Sequence, residues 1–437
     1  MIKQIRLWFF AVMVVLMLYN KLFDALTGNH DIFTHLDILF VGTFLMFTGI
    51  QFITNLKINK LALRPLITIF IFVIVSLFSK YYSNFNNTVL CAFIHVKWFL
   101  IFYVVYEIFK DDYVFFKRLF FMTLFMSAFG ILINFILQEQ FNNYFNQDIM
   151  IRDKKLRMMG FEMHPNNLGI LLSLFFIYVN FFNGMPSYTK IILSTVIFTG
   201  ICVVLIGSRT PLIVVPLSFA YLLLGKKDKI LSFIIIIIIS ILSTVALVLW
   251  GQSIIDRTKK NLTAITEKQD QSEYLRGIMI YNGFKIMFMY FPVGTGMATF
   301  GTSLSIGSKV YDDIKIGSRG VFDTMTGGAY DSNFASIAGE MGFLGIVLIF
   351  WLLNTIRLFC RRTLIYHPDR MHYINIIFLT VLVYFVVHPL FINAYPCMIY
   401  AVFLNIQLSR ERYVIAQRRR PKIAEHIAML LNPPQIA

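Results

Sequence analysis

Three predicted membrane helices begin with residues suited to binding an anion. These helix starts lie at 164–167, 208–211 and 330–333, and the candidate ligands among them are His164, Asn166, Arg209, Asp331 and Ser332. A helix N-terminus presents unpaired backbone N–H groups and the positive end of the helix dipole, so phosphate binds there readily. Arg209 would add a guanidinium fork that matches phosphate oxygens. The pattern predicts a pyrophosphate site, although any one of these starts is also explained as an ordinary helix cap.

Two long loops between predicted helices supply more basic residues. The shorter loop, 138–165, contains Arg157, and the longer loop, 251–332, contains Arg276. Arg276 stands in a stretch of Ile, Met and Phe that predicts an amphipathic helix at the membrane interface. The sequence Pro-Val-Gly-Thr-Gly at 292–296 ends this stretch, and its glycines either let the backbone approach a ligand or form a plain turn. We expect Arg157 and Arg276 to contribute to substrate binding.

Two ionisable residues fall inside predicted membrane helices. Lys97 and Glu340 lie deep in apolar runs, where charged groups are rare and usually pair. We therefore expect a structural Lys97–Glu340 ion pair, with a catalytic role for either residue as the alternative. The eight histidines are dispersed without HExxH-type spacing, and the four cysteines form no CxxC pair. The sequence predicts no metal site.

The composition shows which elements must position these residues. Of the 437 residues, 58% are hydrophobic and only 14% are charged, whereas soluble domains have about 45–50% apolar and about 25% charged residues. A mean hydropathy of +0.71 excludes a soluble globule, a disordered chain and a fibrous protein. We expect residues 1–437 to form a single all-α polytopic membrane domain with about twelve spans. The predicted spans are 7–23, 36–54, 61–79, 89–108, 114–137, 166–183, 188–206, 210–224, 230–250, 333–356, 371–387 and 390–408.

The basic residues set the orientation of the predicted bundle. The net charge is +16, but the basic residues punctuate apolar runs instead of clustering on a soluble face, so no nucleic-acid partner is expected. With both termini in the cytoplasm, more than half of the 39 Lys and Arg residues fall in cytoplasmic segments, among them Lys3, Lys110, Arg370 and Arg412. The short loops on the other side are poor in them, as the positive-inside rule requires. The loops 138–165 and 251–332 are therefore expected outside the cytoplasm.

Four motifs, in order and on the same predicted face, resemble those of the O-antigen polymerase and O-antigen ligase superfamily of bacterial membrane glycosyltransferases. They are His-Pro-Asn-Asn-Leu-Gly at 164–169, Gly-Ser-Arg-Thr at 207–210, Arg276 with Phe-Pro-Val-Gly-Thr-Gly at 291–296, and Asp331-Ser332 followed after nine residues by Gly-Phe-Leu-Gly at 342–345. Ligases carry His at the position of Asp331, so the chain departs from the ligase pattern there. The resemblance implies a GT-C-like bundle with its long outer loop before the last three spans.

The resemblance also implies a reaction. An acceptor hydroxyl attacks the anomeric carbon of a glycan carried on polyprenyl pyrophosphate, and polyprenyl pyrophosphate leaves without a metal or cofactor. Such a reaction needs a base near the hydroxyl and positive charge near the leaving group. Asp331 is the expected base, and Arg209 and Arg276 are expected to bind the pyrophosphate as a clamp. The alternative role for Asp331 is a helix cap. In that case His164 or Glu162 would be the next candidate base. Further expected substrate-binding residues are His164, Asn166, Ser332 and Arg157.

Three functions stay open at this point. Asp331 favours a polymerase that joins carrier-linked repeat units into O-antigen, capsule or exopolysaccharide at the outer face of the cytoplasmic membrane. A ligase of the same family is one alternative, and a flippase or other transporter of lipid-linked oligosaccharide is another. A transporter would favour a charged central cavity and related halves, which the sequence does not show. The partners implied are the carrier-linked glycan donor and acceptor, membrane lipids, a chain-length regulator and a flippase.

Overall fold

The described part of the chain is almost entirely helical. The computed structural model describes residues 2–27, 36–55, 59–82, 84–145, 151–152, 155–156, 158–162, 164–181, 186–204, 275–315, 332–365 and 370–431. Within these ranges the one sheet is an antiparallel pair of two-residue strands, β1 (Ile151–Arg152) and β2 (Lys155–Leu156). The predicted all-α class is confirmed.

Each predicted span within the described ranges coincides with a helix. The elements in chain order are α1 (Ile2–Leu18), α2 (Asn20–Thr27), α3 (Leu36–Asn55), α4 (Lys60–Leu77), α5 (Phe85–Phe109), α6 (Tyr113–Leu137), α7 (Glu139–Tyr144), the 3₁₀ turn η1 (Gly160–Glu162), α8 (Pro165–Phe181), α9 (Ser187–Val204), α10 (Leu275–Met289), the 3₁₀ turn η2 (Ser303–Ser305), α11 (Val310–Asp313), α12 (Asn333–Thr363), α13 (Met371–Val387) and α14 (Ala394–Leu431). The first span is split into α1 and α2 by a bend of 81°. The predicted spans 210–224 and 230–250 lie outside the described residues.

The described helices are those of a multi-pass membrane protein. Among them, α4, α5, α6 and α12 are long and apolar enough to cross a bilayer, and the bent pair α1–α2 raises the number to five. Shorter apolar helices occur at Leu36–Met46, Pro165–Phe181, Ser187–Ile201 and Met371–Val386. Large apolar side chains such as Phe70 and Phe125 are exposed on the bundle, as lipid-facing residues would be. The total of about twelve spans stays a prediction.

Helix α5 is the centre of the bundle. It packs against α3, α4, α12 and α14, and almost every side chain from His95 to Phe109 is buried. A helix that is apolar all round is suited to this place because no face of it has to meet water. The ring of Trp98 stacks on Phe391, with ring centroids 5.2 Å apart, which ties α5 to the turn before α14.

The predicted Lys97–Glu340 ion pair is wrong. Lys97 is buried in α5 and pairs with Asp37 in the first turn of α3. Glu340 contacts His95 instead, two residues before Lys97. Two residues correspond to about 200° around a helix, so His95 faces α12 while Lys97 faces α3. Both buried ionisable groups nonetheless have partners, Lys97 an opposite charge and Glu340 hydrogen-bond donors, as the cost of burying an isolated charge requires.

The helix ends gather into two sets. At one end, named the loop end below, the α4–α5 turn, the segment 290–302, the start of α12 and the α13–α14 turn are joined by hydrogen bonds. At the other end lie ion pairs of basic residues that the sequence analysis assigns to the cytoplasm: Lys3–Asp112, Lys110–Glu107, Arg370–Glu411 and Arg412–Asp111. The predicted extracytoplasmic and cytoplasmic segments therefore separate to opposite ends of the bundle.

Candidate functional site

Helix α12 is broken at the loop end. Gly342 has φ 57° and ψ −146°, so the α-helix stops there and then resumes. This left-handed conformation suits glycine because it has no Cβ. A break in a membrane helix leaves backbone N–H and C=O groups that lipid cannot satisfy, so other protein groups must bond to them.

The segment 291–302, named the inserted loop, supplies those groups. The N–H of Thr295 donates to the carbonyl oxygen of Gly339 at 3.0 Å, and the N–H of Leu344 donates to the carbonyl oxygen of Pro292 at 3.1 Å. The inserted loop thus crosses the break and bonds to α12 on both sides of it. The first half of α12 is buried in this contact, whereas its second half exposes apolar side chains.

The glycines of the inserted loop allow this close approach. Gly294 and Gly296 have φ values of 68° and 95°. A Cβ added to Gly294 would lie 2.6 Å from the carbonyl oxygen of Gly339, closer than real Cβ atoms come to other atoms. The backbone of the Pro-Val-Gly-Thr-Gly sequence therefore packs against the break in α12. This break lies at the start of the Gly-Phe-Leu-Gly motif, residues 342–345.

Glu340 ties the inserted loop to α5. Its carboxylate is fully buried, and both oxygens have partners. Oε1 accepts from the backbone N–H groups of Thr299 at 3.0 Å and Phe300 at 3.2 Å, and from the Thr302 hydroxyl at 3.3 Å. Oε2 lies 3.0 Å from His95 Nε2 and 3.2 Å from Cys91 Sγ. One side chain of α12 therefore connects three separate segments of the chain.

Ser332 and Ser336 continue this connection along the same face of α12. The Ser332 hydroxyl accepts from the N–H of Ala335 at 3.2 Å and donates to the carbonyl oxygen of Val386 at 2.6 Å. The Ser336 hydroxyl donates to the carbonyl oxygen of Gly301 at 2.6 Å. Ser332 is thus the N-cap of α12, and the cap role considered for its neighbour Asp331 is filled by Ser332.

The start of α8 has the geometry of a helix cap. Nδ1 of His164 accepts from the N–H of Asn166 at 3.2 Å, and Pro165 occupies the first helical position. Pro is favoured at that position because its missing N–H would be unpaired there anyway. A helix cap at this start is confirmed, but the capping residue is His164 where the sequence favoured an asparagine. The substrate-binding roles of His164 and Asn166 stay predictions.

Glu162 lies just before α8 and is a second buried carboxylate. It is 2% exposed, and neither of its oxygens forms a hydrogen bond with the described residues. Burial raises the pKa of Glu162 to about 7, with the nearby Ser127 hydroxyl offsetting part of the rise. A carboxyl group with this pKa exchanges its proton near neutral pH, which is a property required of a general acid or base.

Helix α10 packs its middle against the start of α12. Gly283 packs against the backbone of Ala335, and the two helices run in the same direction towards the break at Gly342. The first turn of α10, which contains Arg276, therefore extends beyond the start of α12 at the loop end. The exposed side chains of α10 are largely apolar, for example Phe288, so the predicted amphipathic pattern is weak in the described part.

The remaining predicted site residues are not brought together by the described structure. Arg157, Arg209 and Asp331 lie outside the described residues, and of Arg276 only the backbone is described. Their convergence on one pyrophosphate stays a prediction.

Sequence reasoning missed the cluster around Glu340, although a signal for it exists. Ser332, Ser336 and Glu340 are spaced by four residues, as are Cys91 and His95, and this spacing places polar groups on one helix face. The ligand atoms of Cys91, His95 and Glu340 lie within 4.8 Å of one another, close enough to share a cation. Only the fold shows that the two stripes face each other.

A comparison with known families identifies part of the chain. Residues 194–350 match the family model described as O-antigen ligase. The match confirms the resemblance to the O-antigen polymerase and ligase superfamily. It covers α10, the inserted loop and the first half of α12. No curated protein matches the chain.

Proposed function

We propose that the chain, whose residues 194–350 match the family model described as O-antigen ligase, polymerises oligosaccharide repeat units carried on polyprenyl pyrophosphate. The acceptor hydroxyl of one carrier-linked unit attacks the anomeric carbon of the other, a glycosidic bond forms, and polyprenyl pyrophosphate leaves. Asp331 takes the hydroxyl proton, and Arg209 and Arg276 bind the leaving pyrophosphate. The reaction needs no metal ion.

The observation that carries this proposal is the position of the family match in the fold. The matched segment includes Arg209, Arg276 and Asp331, and its described part converges on the loop end through α10, the inserted loop and α12. The N-cap of α12 is Ser332, so capping does not require the carboxylate at 331. This supports a chemical role for Asp331.

The first test separates a base from a cap. We expect Asp331→Asn to accumulate normally in the membrane and to yield only single repeat units, because the amide keeps the shape and the capping ability of Asp but cannot take a proton. Asp331→His should keep partial activity. The measurement is the length of the glycan chains on the carrier. Polymer of wild-type length from Asp331→Asn would remove the residue from the base role and move the search to Glu162 and His164.

The second test concerns the phosphate clamp. Arg209→Ala and Arg276→Ala should abolish long chains, and Lys should rescue poorly because it lacks the bidentate fork. Lys285→Ala is the matched control for Arg276, since Lys285 is an exposed cation on the same helix. Wild-type chain length in either Arg→Ala variant would exclude that residue from the clamp.

Ligation is the second candidate function because the matching family model is described as O-antigen ligase. The two functions differ in the acceptor: a polymerase elongates carrier-linked repeat units, and a ligase transfers a finished glycan to a different acceptor lipid. Purified protein given only carrier-linked repeat units should produce a ladder of chain lengths. Product formation only after addition of lipid A core would favour the ligase.

The proposed location is the bacterial cytoplasmic membrane, with both termini in the cytoplasm and the loops 138–165 and 251–332 outside. A membrane-impermeant maleimide should label Asp270→Cys in intact cells. Background labelling of Cys91, Cys360 and Cys397 is expected to be low because all three are buried. Labelling only after the membrane is opened would place the loop end, and the reaction, in the cytoplasm.

A further inference from the structure

The cluster of Cys91, His95 and Glu340 allows two kinds of chemistry, a shared metal ion or direct hydrogen bonds. The distances favour hydrogen bonds. Oε2 of Glu340 lies 3.0 Å from Nε2 of His95, close to the usual N–H···O distance of about 2.9–3.0 Å. It lies 3.2 Å from Sγ of Cys91, within the reach of an S–H donor. The other oxygen of Glu340 is occupied by the inserted loop.

The hydrogen-bond donors around Glu340 are numerous enough to fill every acceptor site of its carboxylate. An ionised carboxylate only accepts, through about four lone-pair sites on two oxygens. The five donors around Glu340 are the N–H groups of Thr299 and Phe300, the Thr302 hydroxyl, His95 and Cys91. Nδ1 of His95 is buried and has no hydrogen-bond partner among the described residues, which fits a neutral imidazole that donates from Nε2. Hydrogen bonds to an ionised acceptor are roughly twice as strong as neutral ones.

We infer that Glu340 is a positioning residue for the glycosyl transfer. Glu340 joins the inserted loop to α5 through its hydrogen bonds, an arrangement named the lock below. The inserted loop follows α10 directly in the chain and holds the start of α12 through the hydrogen bond from Ser336 to Gly301. The segments that carry Arg276 and Ser332 therefore move together and are held at one place relative to α5. Glu340 lies eight residues into α12 from Ser332 and acts through these contacts, without touching the substrate. The inference rests on the proposed function for its link to catalysis, but the lock itself can be measured separately.

The test measures the lock by the distance between spin labels on α5 and α10. Asn86 and Lys285 are exposed, so both can be replaced by labelled cysteines in the full-length protein. We expect a narrow distance distribution in the parent protein and a clearly broader one in Glu340→Gln, because the amide places an NH₂ donor against the donors of Cys91 and His95. The turnover rate for polymerisation should fall about 10- to 100-fold, the range expected for misplaced reacting groups.

Two further variants keep the test decisive. Asp37→Asn removes the other buried carboxylate that pairs with α5, and it should leave both the α5–α10 distance and the turnover rate as in the parent. His95→Phe removes one of the two donors that α5 presents to Glu340 and leaves Cys91 in place. It should give an intermediate broadening, which covers the case that Glu340→Gln does not fold. Metal analysis of the purified protein should show less than one ion per chain.

The outcomes are distinguishable. An unchanged distance distribution in both Glu340→Gln and His95→Phe would overturn the lock, as would a stoichiometric metal ion lost in Cys91→Ala. A parent-like turnover rate in a variant with a broadened distribution would overturn the positioning role. The parent protein could also fail to make polymer while Glu340→Gln still broadens the distance distribution. That result would support the lock and would count against the proposed polymerase function.

Discussion

Glu340 and Glu162 are the same residue type, and both are almost completely buried at the loop end of the bundle. Glu340 has hydrogen-bond donors on both oxygens, two of them backbone N–H groups of the inserted loop. Glu162 has no hydrogen bond from the described residues, and burial raises its pKa to about 7. The first carboxylate serves as a structural acceptor, and the second is poised to exchange a proton.

The difference follows from what each carboxylate faces. Glu340 lies beside a broken helix, where the inserted loop turns its N–H groups towards α12. Glu162 ends a short 3₁₀ turn that lies over α6, where Gly160 adopts a positive φ of 58° and Asn134 already binds the N–H groups of Met159 and Gly160. Burial alone therefore does not define the role of an acidic residue; the donors around it do.

The largest effect is expected from Gly294→Ala, which would break the region around Glu340 and leave that around Glu162 intact. The new Cβ would meet backbone atoms of Gly339, Glu340 and Gly342 at 2.6–2.7 Å. Backbone atoms of a packed helix cannot move aside cheaply, so we expect a loss of about 5 kcal/mol or failure to accumulate. The thermal unfolding midpoint in detergent measures this.

Gly307→Ala is the control for Gly294→Ala. Gly307 also has a positive φ, 71°, but a Cβ there would meet nothing within 4 Å. It should therefore cost only the strain of a left-handed conformation, about 1–2 kcal/mol. Equal losses in the two variants would contradict the close packing of the inserted loop against α12.

The second-largest loss of stability is expected when the carboxylate of Glu340 is replaced by an amide, and the same replacement at Glu162 provides the comparison. Glu340→Gln should destabilise the protein by about 3–5 kcal/mol, because its NH₂ group faces buried donors and leaves more than one of them without an acceptor. The measurement is the thermal unfolding midpoint in detergent, which should fall accordingly. A midpoint equal to that of the parent would show that the donors around Glu340 do not depend on its charge.

Glu162→Gln should stabilise the protein above neutral pH, whereas Glu340→Gln should destabilise it. The folded-state pKa of about 7 lies above the ordinary value of 4.5, so the folded protein loses stability as the pH rises between these two values. The loss at pH 8 is about 3 kcal/mol by linkage. We expect Glu162→Gln to raise the unfolding midpoint at pH 8 and to match the parent at low pH. The same pH dependence in both proteins would mean that Glu162 is not buried in the folded state.

The smallest effect is expected at the start of α12. Ser332→Ala should cost about 1 kcal/mol, the usual value of an N-cap, and Ser332→Asn should retain most of it because Asn caps equally well. The unfolding midpoints of the two variants measure the difference. A Ser332→Ala midpoint at the parent level would return the cap role to Asp331 and weaken the proposal that Asp331 is the base.

Much of the architecture was predictable from the amino-acid sequence. Apolar runs of membrane-spanning length predicted a helix in every span within the described ranges, because a polar backbone in lipid has to satisfy itself. Cap chemistry predicted that helices begin near the starts of α8 and α12, because a capping side chain bonds to backbone groups of its own first turn, as His164 and Ser332 do. The family match at residues 194–350 confirmed the resemblance that the motifs had indicated.

Only the tertiary structure decided how the buried charges pair. The depth of Lys97 and Glu340 in apolar runs predicts that both need partners. Which partner each one finds depends on which neighbouring helix its own helix face contacts. Helix α5 presents His95 to α12 and Lys97 to α3. The role of the glycines was likewise undecided, because a Gly-x-Gly sequence permits close approach without saying to what. Local interactions can be read along the chain, whereas a contact between Asp37 and Lys97, or between Gly294 and Gly339, exists only after distant helices have packed.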